Sequence, residues 1–202
     1  MSKGCLLLPD VTLVAVSCDR PQETDKALDI CMDRTWFGDV KFFTSARILN
    51  RFKVRIPRIN NIREYDNFII KDLAGYIETD HTLTVHWDGY ILNPDAWTNK
   101  FLKYDYIGAP WIHHEGLVGN GGFCLRSRKL LRFIADAYGN EQINRPDDVF
   151  ICQDKRDDLL KAGFKFAPYD IARNFSIENG TWNGQFGFHD FNITDITQWR
   201  KQ

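Results

Sequence analysis

Residues 11–16 (VTLVAV) form an unbroken apolar, β-branched run, the pattern of a strand buried on both faces. Residues 24–36 then place Ala27, Leu28, Cys31 and Met32 on one face of a predicted helix. Residues 41–43, following Val40, predict a short second strand, and residues 53–56 a third, stopped by Pro57. Asn61 can cap a helix running from Ile62 to about Ile77, with Tyr65, Phe68, Ile69, Leu73 and Tyr76 at helical spacing. Residues 82–86 (TLTVH) read as a fourth strand and residues 105–107 as a short extended piece. A loop over 109–120 and the stretch 121–125 follow. Ser127 opens a helix to Tyr138. Another helix starts at Pro146 or Asp147, with acids where a helix start favours them, and ends at Gly163. Residues 165–167 predict a last short strand, before a stretch rich in Asn, Gly and Phe.

Strands alternating with helices predict an α/β fold, three-layer α/β/α with a mostly parallel central sheet. The chain has 202 residues, 44% hydrophobic and 26% charged, which suits one globular domain and excludes disorder. No run of 18 apolar residues occurs, so no membrane span is expected, and residues 1–8 lack a full signal-peptide core. The five scattered cysteines (Cys5, Cys18, Cys31, Cys124, Cys152) show no zinc spacing and read as free thiols of a reducing compartment. The expected location is therefore the cytoplasm, of a bacterium or of a virus-infected host. Asn192-Ile193-Thr194 matches a glycosylation sequon, which carries little meaning without a secretory signal. A net charge of −1 disfavours a globally basic nucleic-acid binder. One local exception is Arg47, Arg51, Lys53, Arg55, Arg58 and Arg63, with no acid among residues 47–63. That run is either a protected sheet edge or a phosphate-facing surface.

In parallel α/β sheets, ligands bind beyond the carboxyl ends of the strands. After the first strand come Ser17, Cys18 and Asp19, with no glycine-rich dinucleotide or P-loop signature. Asp19 is either a turn residue or an acceptor for a base or ribose. After the fourth strand comes His86-Trp87-Asp88-Gly89. An acid there is either part of an Asp-Gly turn or a ligand for Mg2+ or Mn2+ held with a diphosphate. The glycines around Asn120, Gly121 and Gly122 allow backbone to approach a ligand closely, and Trp111 can either stack on a sugar or fill a core. Asp147 and Asp148 open a helix. Capping needs only one of them, and the other is free to act as a general base. His189, between aromatic residues near the end, is a structural histidine unless a metal site elsewhere lacks a donor.

Five segments in order, HWDGYILNPDAW, YDYIGAPW, VGNGGFCLRSRKLL, PDDVFIC and FGFH, preceded by NNIREYDNFIIKDL, resemble the bacterial and viral family of glycosyltransferase-like domains labelled DUF5672. The resemblance spans residues 11–189, and the family in turn looks like GT-A glycosyltransferases. It implies a nucleotide-binding half (about 1–90) and an acceptor-binding half (about 91–202). It implies that His86-Trp87-Asp88 stands where GT-A enzymes carry Asp-X-Asp, with His86 replacing the first acid. Asp88, His189 and His86 would then hold Mn2+ or Mg2+. Asp148 would be the base of an inverting single displacement, beside Asp147. Ser17, Cys18, Asp19, Arg63, Tyr65, Lys71, Trp87 and Asp88 would line the nucleotide-sugar (UDP-sugar) site. Trp111, Asn120, Gly121 and Gly122 would line the acceptor cleft.

The resemblance thus predicts a metal-dependent transferase moving sugar from a nucleotide-sugar donor to an acceptor hydroxyl. The acceptor is a cell-envelope saccharide or a 5-hydroxymethylpyrimidine in viral DNA, the basic run fitting the second. The alternative is an inactive carbohydrate- or nucleotide-binding module of the same fold, since the acid pair is incomplete. The oligomeric state is not readable from the sequence.

Overall fold

A computed structural model of the protein describes residues 4–111, 116–178 and 180–189. The sequon at Asn192 lies outside the described residues.

The core is a six-stranded sheet: β1 (Leu6–Val16), β2 (Thr35–Thr44), β3 (Lys53–Arg55), β4 (His81–Val85), β5 (Tyr106–Ile107) and β6 (Phe123–Ser127), in the order β3-β2-β1-β4-β6-β5. β1 pairs in parallel with both β2 and β4, and β2 with β3, whereas β6 runs antiparallel to β4 and β5. The continuous apolar run is the central strand, and Val11, Leu13, Val14 and Ala15 are almost wholly buried. Helix α1 (Pro21–Asp33) carries the chain from β1 outward to β2 and packs on both. Helix α2 (Ile62–Asn67) begins the crossover from β3 back past β1 to β4. Right-handed crossovers in opposite directions put these two connections on opposite faces, which gives three layers. The expected mostly parallel α/β sheet is therefore present.

Asn61 caps α2 as predicted, its side chain accepting from the Glu64 N–H at 3.0 Å. The helical path continues to Tyr76, but through a π-turn segment (Phe68–Asp72) and a 3-10 turn (Leu73–Tyr76). Helix α3 (Arg128–Tyr138), capped by the Ser127 hydroxyl at 3.1 Å, packs against them. The helix predicted up to Gly163 is broken: α4 (Asp147–Val149) passes into a π turn (Phe150–Asp154), and α5 (Arg156–Lys161) follows. Residues 165–167 make one bridge, Tyr106 to Phe166, rather than a strand. The C-terminal stretch holds a further helix, α6 (Tyr169–Phe175), and a small parallel pair, β7 (Ser176–Ile177) with β8 (Gly187–Phe188). Cys18, Cys31, Cys124 and Cys152 are buried free thiols and Cys5 is exposed. No described helix is long and apolar enough to cross a membrane.

β1 and β2 begin earlier than their apolar runs. The register of β1 on β2 shifts between Leu8 and Thr12, a bulge that accommodates Pro9, which cannot donate to a ladder. Gly38 lies opposite, and a Cβ there would strike the Pro9 carbonyl oxygen. The backbone at the bulge cannot yield easily. Gly38→Val should therefore destabilise the protein by about 1–3 kcal/mol. A lowered urea midpoint with an unchanged m-value would be the signature, and an unchanged midpoint would count against this reading of the bulge.

Candidate active site

The fourth strand ends in a tight turn. His86 and Gly89 exchange backbone hydrogen bonds at 3.0 and 3.2 Å, leaving Trp87 and Asp88 at its tip. Asp88 is thus both the Asp-Gly turn residue and a site residue. The residue is buried (5% exposed), and neither carboxylate oxygen accepts a well-formed hydrogen bond among the described residues. The nearest cationic group is His189 Nε2, 3.4 Å from Oδ1. His86, Asp88 and His189 each offer a ligand atom within 4.8 Å of the others.

His189 reaches this point through the small C-terminal pair. β8 is held on one side by Ile177 and on the other by Ile91, while the Leu92 and Asn93 N–H groups donate to the Phe186 carbonyl at 3.0 and 3.1 Å. Ile177 and Phe188 are register partners, so the next residues, Glu178 and His189, emerge side by side. Glu178 Oε1 is 3.8 Å from His189 Nδ1. Gly122 permits the close approach of the imidazole, because a Cβ at 122 would overlap its ring.

The two histidines carry opposite shifts. Burial, reinforced by the neighbouring His189, pushes His86 down to about 3, the neutral state a ligand needs. Its Nε2 is 2.6 Å from the Tyr65 hydroxyl, a partner that fixes the ring. Burial opposes protonation of His189 too, yet Asp88 and Glu178 hold it up to about 9. Burial alone would raise Asp88, but its contact with His189 keeps it below the usual carboxylate value. The imidazolium therefore occupies a place where the fold calls for positive charge. Two imidazoles and one carboxylate with unsatisfied oxygens fit a divalent cation. Imidazole suits Mn2+ better than Mg2+, which prefers an all-oxygen shell.

The acid pair lies across the Gly121-Gly122 backbone. A Cβ at Gly121 would stand 2.6 Å from Asp147 Oδ1. The two acids have separate surroundings. Asp147 is buried and paired with Arg126, itself wholly buried in β6, and its N–H donates to Asp66 Oδ1 at 3.1 Å. The expected cap is thus an internal ion pair. Asp148 is half-buried, with Oδ2 accepting from the Asn120 N–H at 2.9 Å and Oδ1 from the Val149 N–H at 2.8 Å. Burial and the charge of Asp147 raise Asp148 to about 6, and the same causes raise Asp66 to about 7. Asn120 adopts φ 69°, and its Oδ1 accepts from the Gly122 and Phe123 N–H groups at 3.1 and 3.3 Å. This turn sets the path of Gly121 and Gly122 between the two clusters.

The other predicted residues are distributed around this centre. The Ser17 hydroxyl donates to Asp19 Oδ1 at 3.2 Å, and exposed Asp19 is close enough to act on the charge of His86. Cys18 is buried, its Sγ accepting from the Ser45 and Ile59 N–H groups, both at 3.4 Å. It thus stitches the start of the basic run to the end of β1. Arg20 covers the Trp87 ring at 4.4 Å. Arg63 is exposed and acts on Asp66. Lys71 donates to the Glu141 carbonyl at 2.8 Å, anchoring the loop after α3. Trp111 packs against Gly119. Arg47, Arg55, Arg58 and Arg63 are exposed and make no ion pair among the described residues. Sequence reasoning missed Glu178, Asp66, Arg126 and Arg20. The one signal was Arg126 itself, a lone cation inside the apolar strand FCLRS, which requires a buried acid.

A sheet of this order, carrying an acid–histidine cluster at its carboxyl edge, has the architecture of GT-A glycosyltransferases. The chain belongs to the family of proteins of unknown function DUF5672, whose model matches residues 49–189. No curated protein matches it in sequence. Among solved structures it is similar to mannosyltransferase PcManGT from Pyrobaculum calidifontis, in complex with GDP-Man and Mn2+ (11% identity, TM-score 0.53). That match covers 80% of this chain and 56% of the mannosyltransferase, so the chain spans just over half of that protein's length. It is also similar to a glycosyltransferase involved in glycosylation of the major capsid of PBCV-1, at 12% identity and TM-score 0.52, covering 95% of this chain and 97% of the other. A third likeness is to galactosyltransferase LgtC in complex with donor and acceptor sugar analogs, at 15% identity and TM-score 0.50, covering 93% and 91%. At these identities the likeness establishes the fold.

Removing the cation that Asp147 faces would leave a buried, unbalanced carboxylate. Arg126→Met should cost about 3–5 kcal/mol of folding stability, read by denaturant unfolding. A loss below about 1 kcal/mol would show that Asp147 has other support.

Proposed function

We propose that the protein is a metal-dependent glycosyltransferase that moves a sugar from a nucleotide donor, a UDP-sugar being the first choice, to an acceptor hydroxyl with inversion. The observation that carries this reading is the convergence of Asp88, His86 and His189 across the Gly121-Gly122 backbone from Asp148. The neighbouring structure holding GDP-Man and Mn2+ supports a donor and ion of this kind. The nucleotide-binding half would be residues 1–90 and the acceptor-binding half residues 91–202.

In this mechanism Asp88, His189 and His86 would hold the cation, and Tyr65 and Glu178 orient the two rings. When bound, the cation offsets negative charge on the diphosphate leaving group. Asp19 and Ser17 border the nucleoside, and Trp87, backed by Arg20, forms a wall beside Asp88. Asn120 steers Asp148 through its N–H. Asp148 takes the proton of the acceptor hydroxyl as that oxygen attacks the anomeric carbon, opposite the departing diphosphate. Asp147 is withheld from proton transfer by Arg126 and acts by raising Asp148. A pKa near 6 makes Asp148 a stronger base than an ordinary carboxylate while leaving it ionised at pH 7. The absence of a first acid at His86 favours one other reading, a donor-binding module without catalysis.

Slow hydrolysis of UDP-sugars with Mn2+ separates the two readings, since a module releases no nucleoside diphosphate. Asp148→Asn should lower turnover by about 100-fold or more while donor binding, followed by Mn2+-dependent thermal shift, stays within twofold. His189→Ala should do the reverse, abolishing the Mn2+-dependent shift. Full turnover in Asp148→Asn would remove Asp148 from the mechanism.

The base must be ionised, so with saturating Mn2+ kcat/KM should be flat above pH 7 and fall tenfold per unit below about pH 6. An acid limb near pH 4 would mean an ordinary exposed carboxylate carries the reaction.

A further inference from the structure

Beside the Asp88–His189 cluster opens a cavity of about 570 Å³, lined among others by Trp111, Tyr169, Arg173, Ser176 and Glu178. A second cavity of about 450 Å³ extends from it past Phe101, Thr98 and Lys100. The two share Arg173, Asn183 and Gln185, so they adjoin across these side chains as the two parts of one groove. Its inner end is at Glu178, the carboxylate next to His189, and its outer end at Lys100. Each part alone is within the roughly 300–1,000 Å³ of ligand sites.

The chemistry of the lining is specific. Tyr169 is a large ring left 52% exposed at the start of α6, and the Trp111 ring lies against Gly119. The same cavity is lined by the side-chain amides of Asn183 and Gln185 and by exposed Arg173, which makes no ion pair among the described residues. The wall includes Ser176, whose buried hydroxyl has no hydrogen-bond partner there. An exposed ring and a half-buried one, together with amides and a guanidinium, match a ligand with apolar faces and many hydroxyl edges. Length and shape point the same way, because a groove crossing two cavities accepts a chain, whereas a base extruded from DNA fills one compact slot. Lys53 and Arg55 of the basic run belong to β3, the edge strand of the sheet. The groove is built on Phe175 and Phe186, which pack on Phe123 of β6, four strand spacings or roughly 20 Å away. Lys53 and Arg55 therefore do not flank the groove, and none of the basic run lines it.

We infer that this groove, from Glu178 past Tyr169 and Arg173 to Lys100, is a binding site for an oligosaccharide chain, the acceptor of the transfer, whose sugars run outward from Glu178 to Lys100. The inference rests on the transferase reading for the word acceptor, but the saccharide site itself stands on the groove.

The test uses the intact protein on a printed array of defined oligosaccharides, with titration of the best binder. A 5-hydroxymethylcytosine-containing duplex and its unmodified counterpart are titrated in parallel. Tyr169→Ala and Arg173→Ala change exposed side chains and should leave the melting temperature unchanged. Each should weaken oligosaccharide binding about tenfold or more, with the Mn2+-dependent UDP-sugar shift unaltered. Chains of two or more sugars should bind more tightly than the terminal monosaccharide. Oligosaccharide binding without any donor shift would uphold the groove and defeat the transferase reading. The inference is overturned if no oligosaccharide binds at millimolar concentration, if both variants bind as wild type does, or if the modified duplex alone binds and Arg55→Ala, Arg58→Ala removes it.

Discussion

The contact between Asp88 and His189 is the constraint on which the rest of the site depends. A carboxylate has been placed at the carboxyl end of the central sheet and removed from water. Such a group needs a cation or a full set of donors, and Asp88 has no well-formed donor among the described residues. Positive charge arrives from 101 residues further along the chain, just past a two-residue strand clamped between Ile91 and Ile177. Closing the C-terminal segment over the sheet and balancing Asp88 are therefore one event. The same geometry that holds an imidazolium beside Asp88 assembles three metal-compatible donor groups.

The backbone of Gly121 and Gly122 divides the site into two electrostatic compartments. On one side, half-buried His86, buried His189 and Asp88 make a place for a cation. On the other, Arg126 neutralises Asp147, and Asp147 in turn raises Asp148. A side chain at either glycine would invade one compartment or the other. Two adjacent acids therefore have different properties: one is fixed in an internal ion pair, the other is half-exposed and basic. Beyond the cation compartment, Glu178 is shared between His189 and the groove, which links the candidate donor and acceptor regions through one carboxylate.

Much of the sheet was legible because its physical signals are local. The residues of VTLVAV are buried on both faces whatever surrounds them, Asn61 and Ser127 cap helices through their own side chains, and strand–helix alternation leaves few right-handed topologies. The ends of β1 and β2 were not legible, because Pro9 and Gly38 argue against strands unless a bulge pairs them. The π turns after Asn67 and Val149 were also hidden, since apolar spacing does not distinguish them from α-helix. In the site, Asp88, Asp148 and His189 carry motif signals, and the family resemblance placed them in one order. Arg126, Glu178 and Asp66 were invisible because their roles come from partners 21, 11 and 81 residues away. The split between Asp147 and Asp148 is tertiary as well: helix-start chemistry treats the two alike, and only the buried guanidinium separates them.

The most direct measurement of the central claim is anomalous diffraction at the manganese edge from crystals grown with Mn2+ and UDP. The account predicts a single strong peak within coordination distance of Asp88 and His189, with the diphosphate oxygens adjoining it and Asp148 on the far side of Gly121. A peak elsewhere, or nucleotide bound with those two side chains still in mutual contact and no ion between them and the phosphates, would contradict it.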